Sequence, residues 1–416
     1  MTSRAGLITL AGATFVYVTT ETLPIGLVPQ LSAGLHVRPG TVGLLVTAYA
    51  AVAGLTAIPL TVAMEHRDRR QVVAGCVTLL ACSQFVIAAA PDYAVVLAAR
   101  IACAATHGVF WSMLPPVAAR LAGPGRAGRA TALVFTGNSL ALVLGVPLGT
   151  ALGHVAGWRP AMAAFGAAAV ISAVALRRVL PALPPEPPGS SEVAVANGSA
   201  EVSGAAAGTL RARIRAIPAA LHSAPLLAIC VVTVLVVTGH FTAYTYITEL
   251  IRRDAGIAGL ALPAVLFGYG GAGIAGIWLA GRITDSRPRR AAAACAGGVA
   301  VALAGLLMAR SAAATVTAVI LWGAAFTAFP VTGQAAVLRV APRSADTASA
   351  LYVVAFQIGI GGGALAGSLL VDAGLLSALC VVGTALAAAG LLVTLAARRA
   401  FPANGTGAAR PRRTGR

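Results

Sequence analysis

The sequence predicts an all-α membrane protein whose twelve transmembrane helices form two pseudo-symmetric six-helix bundles. Three observations carry that expectation: an extreme hydrophobic composition, twelve separable apolar runs and a weak internal repeat. Of 416 residues, 58% are hydrophobic and only 10% charged, and the mean hydropathy is +0.87. A soluble domain carries roughly a quarter charged residues, so most of this chain's surface is expected to face lipid.

A spanning helix needs about 20 mainly apolar residues. Breaking the chain at charged and Gly/Pro clusters gives spans near 6–30, 41–64, 71–90, 94–118, 130–154, 160–180, 225–250, 260–281, 291–309, 315–338, 348–372 and 375–397. The first run is too long for the apolar core of a cleaved secretory signal and reads as the first span.

Charge orients these spans. All 30 basic residues are arginine. With the N-terminus inside, 24 of them fall on cytoplasmic segments, and five (Arg38, Arg159, Arg252, Arg253 and Arg310) fall outside. Arg100 alone lies within a span. This asymmetry predicts a multi-pass cell-membrane protein with both termini in the cytoplasm. It also accounts for the net charge of +18 without a nucleic-acid partner. The six cysteines are scattered through apolar runs with no paired spacing, so no disulfide framework, metal site or cofactor is expected.

The longest loop, 181–224, opens "PALPPEPPGSSEVAVANGSAEVSG", the composition of a flexible linker. It separates an N-terminal half, 1–180, from a C-terminal half, 225–397, which is followed by a tail, 398–416, expected to be disordered. The halves resemble each other. "TALVFTGNSLALVLGVPLG" (131–149) aligns with "SALYVVAFQIGIGGGALAG" (349–367), so that Gly145 matches Gly363 and Gly149 matches Gly367. The loops after spans 2 and 8 align at nearly the same offset and match Arg69-Arg70 with Arg289-Arg290. The near-common offset implies duplication.

Several stretches resemble the major facilitator superfamily, specifically its twelve-span drug:proton antiporter branch of sugar and drug efflux permeases. "TTETLPIGLVPQLSAGL" is similar to that branch's acid-bearing first span. "GRITDSRPRR" (281–290) fits the superfamily's loop signature, and "LAARIACAATHG" (97–108) the fourth-span motif with its arginine. "GNSLALVLGVPLGTALG" (137–153) resembles the fifth-span antiporter motif, with Gly137, Gly145, Pro147 and Gly149 as its matches. The loop after span 2 departs from the signature: Thr61 and Asp68 stand where glycines are expected and Glu65 replaces an aspartate. The resemblance implies a carrier of a small-molecule substrate, coupled to protons, working in the lipid bilayer as a monomer. It also implies that spans 1, 4, 7 and 10 line a central cavity.

Physical chemistry then ranks the residues. An ionisable group in a span costs about 2.5–3.5 kcal/mol and persists where it faces a partner or water. Glu21 and Arg100 lie at similar depths, roughly 10–15 Å from the outer surface at 1.5 Å per residue, and are expected to meet as a proton-coupling pair. A purely structural pair is the competing reading. His107 sits two turns beyond Arg100, and His240 and Tyr244 share a face of span 7. Trp322, Phe326 and Phe329, with Gln334 beyond, form a face on span 10 suited to a lipophilic substrate, although such a stripe also serves ordinary packing. Span 5, bent by Pro147, is expected at the interface between halves. Glu65, Arg69 and Arg70, with Gly281, Asp285, Arg289 and Arg290, are expected to form cytoplasmic switch loops. The function that follows is export of a small organic molecule by alternating access. A proton-coupled importer or facilitator on the same fold is the alternative. An enzyme is not expected, since acids are few and no P-loop lysine exists.

Overall fold

The computed structural model describes residues 3–64, 67–123, 127–184, 223–284, 286–341 and 345–402. Glu65, Asp285, most of the linker and most of the tail lie outside these residues. Twelve helices are long and apolar enough to cross a membrane. Spans 1 to 6 are Arg4–Gly26, Pro39–Ala57, Arg69–Ala89, Tyr93–Ala122, Leu133–Ala156 and Trp158–Val179. Spans 7 to 12 are Ala224–Tyr244, Ala261–Thr284, Pro288–Met308, Ala312–Val340, Ala348–Asp372 and Leu376–Ala396.

Four spans are interrupted where the sequence suggests continuity. Span 1 stops at Gly26, and helix resumes over Val28–Leu35. Pro24 leaves the main-chain carbonyl one turn before it without its usual donor. Span 7 stops at Tyr244 and resumes over Ile247–Ala255. Span 4 breaks at Thr106, and the Thr56 hydroxyl of span 2 donates to the Ala105 carbonyl there at 3.2 Å. Irregular backbone at membrane depth survives where a neighbour re-satisfies it. Span 5 widens to a π turn over Ala141–Gly145, immediately before Pro147. The longer bond, from Val146 N–H to the Ala141 carbonyl, relieves the proline's clash with the preceding turn.

The repeat has a packing counterpart. The span-5 glycines lie on span 1: Gly145 against Thr19, Gly149 against Leu23 and Gly137 against the Ala11 carbonyl. A Cβ at any of these would overlap those atoms, which is why small residues recur there. In the second half Gly363 and Gly367 approach Thr238 and Thr242 of span 7 in the same way. The antiporter-type glycines therefore face span 1 of their own half, while the helix that carries them lies at the interface between halves, as expected. The residues 141–156 of span 5 do also touch span 8 of the other half, and spans 2 and 11 form the second contact between halves.

These contacts are uneven along the membrane normal. Twelve spans return the chain to the end it starts from, so Ser3 and Phe401 lie at one end of the bundle, and at the opposite, distal end the halves are joined. There the Gly40 N–H donates to Asp372 Oδ1 at 3.1 Å. The Gly40 carbonyl accepts from the hydroxyls of Ser368 at 2.8 Å and Tyr246 at 3.3 Å. Deeper in, Thr47 Oγ1 donates to the Gly361 carbonyl at 3.3 Å. One hydrophobic cluster crosses both halves on this side, from Leu31 and Leu45 to Tyr246 and Leu250. Towards the terminal end the cores separate: one contains Leu7, Phe110 and Leu176, the other Leu226, Val337 and Phe401.

Candidate functional site

Two clusters of side chains form on spans 1, 2 and 4 and on spans 7, 8 and 10. The first is built around Glu21, whose side chain remains 19% exposed. Glu21 Oε2 lies 3.5 Å from His107 Nδ1, and the Tyr49 hydroxyl lies 3.2 Å from the same nitrogen. His107 reaches this position because span 4 breaks at Thr106 and restarts with His107 as its first residue. Tyr49 comes from span 2 and Tyr17 stacks on Phe110 below, with centroids 4.1 Å apart.

Arg100 is 3% exposed and does approach Glu21, but through the backbone: its Nη2 donates to the Glu21 main-chain carbonyl at 3.0 Å. The guanidinium lies 4.9 Å above the Tyr49 ring, a cation–π geometry, and its Nε has no hydrogen-bond partner among the described residues. The expected carboxylate–guanidinium pair is thus replaced by a carboxylate–imidazole contact, with the arginine beneath it. The physical reason is the broken turn at Thr106, which brings the imidazole to the carboxylate. His107, expected among the substrate-cavity residues, belongs instead with Glu21.

The second cluster is aromatic. His240 is 1% exposed, and its Nδ1 accepts from Trp322 Nε1–H at 2.9 Å. That bond leaves a neutral imidazole with its proton on Nε2. The ring lies between Phe326, at 3.2 Å and 2° interplanar angle, and Tyr244, at 4.7 Å and 23°. Tyr269 of span 8 and Phe241 close the cluster. Phe329 is fully buried on span 10, and Gln334 is turned elsewhere, its amide donating to the Ser349 hydroxyl at 2.8 Å. The histidine, Tyr244, Trp322 and Phe326 come together as the sequence suggests; Phe329 and Gln334 are not part of that stack.

Of the loop residues, Glu65 and Asp285 lie outside the described residues. Arg70 donates to the Leu180 carbonyl of its own half at 3.3 Å, a contact within one bundle rather than between two. Gly281 has open space where a side chain would be; Arg290 is exposed and Arg289 half-buried. Sequence reasoning missed Tyr49, Tyr17, Tyr269 and the Gly40 joint. A tyrosine hydroxyl in the middle of an apolar span was the available signal for the first two. Its partner depends on which helix crosses there.

Comparison with known proteins follows the same lines. The family model described as Major Facilitator Superfamily matches residues 10–364. A chloramphenicol efflux pump of Mycobacterium tuberculosis strain H37Rv is 38% identical over 378 residues, covering 87% of this chain and 85% of that protein. Its counterpart in strain CDC 1551 matches to the same extent. Among solved structures, a peptide transporter POT covers 95% of both chains with a TM-score of 0.72 at 12% identity. A bacterial homologue of the human lysosomal transporter Spinster, in an inward-facing and unoccupied conformation, covers 96% of both chains, with a TM-score of 0.66 and 14% identity. At these identities the structural likeness speaks for the fold.

Proposed function

Since the chain belongs to the major facilitator superfamily and is a multi-pass membrane transporter rather than an enzyme, we propose that it exports a small organic molecule in exchange for protons. The observation that carries this reading is the carboxylate of the partly exposed Glu21 side chain, in contact with His107 inside the membrane. Chloramphenicol, named for the mycobacterial relatives, is the first substrate to test, and the aromatic cluster around His240 suits a lipophilic one.

The chemistry supports a proton cycle. In the neutral tautomer that carries its proton on Nε2, His107 Nδ1 accepts the Tyr49 hydroxyl proton and offers the Glu21 carboxylate nothing. A proton on either Glu21 or His107 converts the 3.5 Å contact into a hydrogen bond or ion pair. Arg100 is held by the Glu21 main-chain carbonyl and leaves the carboxylate to His107. Water reaching the site from alternate sides would carry the proton to and from it, so uptake and release can follow the rocking of the two halves. With both termini cytoplasmic, as the arginine distribution implies, the joined distal end would face outside, the arrangement of a carrier that loads substrate from the cytoplasm.

The test is transport in proteoliposomes with an imposed pH gradient. Chloramphenicol should move against its concentration gradient with stoichiometric counterflow of protons, and a protonophore should abolish the accumulation. Uphill movement unaffected by collapse of the proton gradient would sink the proposal.

A further inference from the structure

The groove between spans 3 and 6, far from the site above, has the layout of a lipid receptor. At the terminal end of the bundle a cavity of about 380 Å³ is lined by Arg70, Gln71 and Arg177. A second, apolar groove of about 200 Å³ is lined by Thr78, Cys82 and Phe85 of span 3 and by Val170 and Val174 of span 6, among others, and it shares Arg177 with the first. On span 3 these positions follow one another at helical spacing from Gln71 through Thr78 and Cys82 to Phe85, and on span 6 from Arg177 back through Val174 to Val170. Side chains at such spacing share one face of a helix, so the two cavities lie in line along the seam of spans 3 and 6 and meet at Arg177.

The head of the channel is held rigidly. Asp68 caps span 3 by accepting from the Gln71 N–H at 3.1 Å and also accepts the Leu183 N–H at 2.8 Å. The Arg69 N–H donates to the Leu183 carbonyl at 2.9 Å, and Arg70 bonds the Leu180 carbonyl. These links clip the end of span 6 to the start of span 3, setting Arg70 and Arg177 around one cavity. Asp68 is not among the residues that line the cavity, and both charged side chains that do are arginines, so its lining is cationic. From Arg70 to Phe85 the helix rises roughly 22 Å, more than the apolar half-thickness of a bilayer, about 15 Å.

We propose that this channel binds one anionic phospholipid, its phosphate between Arg70 and Arg177, its headgroup hydroxyls at Gln71 and one acyl chain along the Cys82–Val174 groove. Basic pockets between spans on the cytoplasmic side are suited to such headgroups. The continuity of charge with an apolar track distinguishes a lipid from a soluble anion. The proposal is independent of the transported substrate and of proton coupling.

Native mass spectrometry of the full chain in detergent tests it, titrating dioleoyl phosphatidylglycerol, dioleoyl phosphatidylcholine and inorganic phosphate in parallel. Wild type should retain one phosphatidylglycerol with a preference over phosphatidylcholine that falls by roughly 30-fold in the Arg70→Gln/Arg177→Gln double variant, from two basic contacts. Arg177→Lys should keep much of the preference, which separates charge from a folding defect. Val174→Trp, filling the groove at an exposed position, should weaken both lipids. An unchanged preference in the double variant would overturn the site, and so would full displacement of the lipid by millimolar phosphate, which would mark a free-anion site.

Discussion

The two halves share a plan and differ at one place in it. Gly145 sits on Thr19 and Gly363 approaches Thr238, so Glu21 and His240, each two residues further on, occupy matching positions of spans 1 and 7. Arg100 reaches the first from span 4, and Trp322 reaches the second from span 10. In the first half the result is a carboxylate, an imidazole and a guanidinium, with Glu21 19% exposed. In the second it is an imidazole sealed between rings, its Nδ1 satisfied by an indole. A charge within the membrane is costly without partners or water, and only the first cluster supplies both. The two positions are equivalent in the packing plan, and one carries ionisable chemistry while the other is a neutral aromatic wall.

Exchanging the chemistry of the two positions gives the largest expected effect. Glu21→Gln should reduce gradient-driven accumulation to background while leaving downhill flux and membrane insertion intact. His240→Gln should raise the apparent KM and preserve the coupling, since its cluster holds no acid. Equal losses of coupling in both variants would erase the distinction between the halves.

Next in size is the aromatic cluster's own integrity. Trp322→Phe leaves the buried His240 Nδ1 without its donor and should cost about 1–3 kcal/mol, read as a lower Tm in detergent. A Tm unchanged from wild type would mean that the indole bond does not hold the cluster. Gly145→Ala and Gly363→Ala probe what the halves have in common. Each inserts a methyl into a helix contact and should destabilise by about 1–3 kcal/mol. A loss confined to one of the two would show that the glycine rows are not equivalent. Smallest is Thr47→Val, which removes the hydroxyl contact with the Gly361 carbonyl. It should cost about 0.5–1.5 kcal/mol and speed hydrogen exchange at the distal ends of spans 2 and 11. Unaltered exchange there would show that the joint rests on Gly40 alone.

Much of this was legible in the chain. Span count followed from apolar run length, and the glycine row of span 5 followed from spacing. Glu21, Arg100 and His240 stood out as polar groups in apolar runs. The interruptions were less visible: nothing local at Thr106 announces a broken turn, and Pro24 signals a bend without its position relative to span 4. The Glu21–His107 contact depends on that break, which is why the arginine was expected in the imidazole's place. Tyr49 was overlooked because a tyrosine in a span is ordinary until a histidine from another helix meets its hydroxyl.

By itself, then, the sequence determined the solvent this protein lives in, the number of its spans and the glycine spacing that recurs in its halves. Those properties depend on composition and on periodicities within a single helix. Tertiary structure alone decided which polar groups meet: that Arg100 binds a backbone carbonyl, that His107 takes the carboxylate and that Gly40 joins the halves at the distal end. These contacts depend on where helices 58 to 332 residues apart in sequence cross, and no local pattern encodes a crossing.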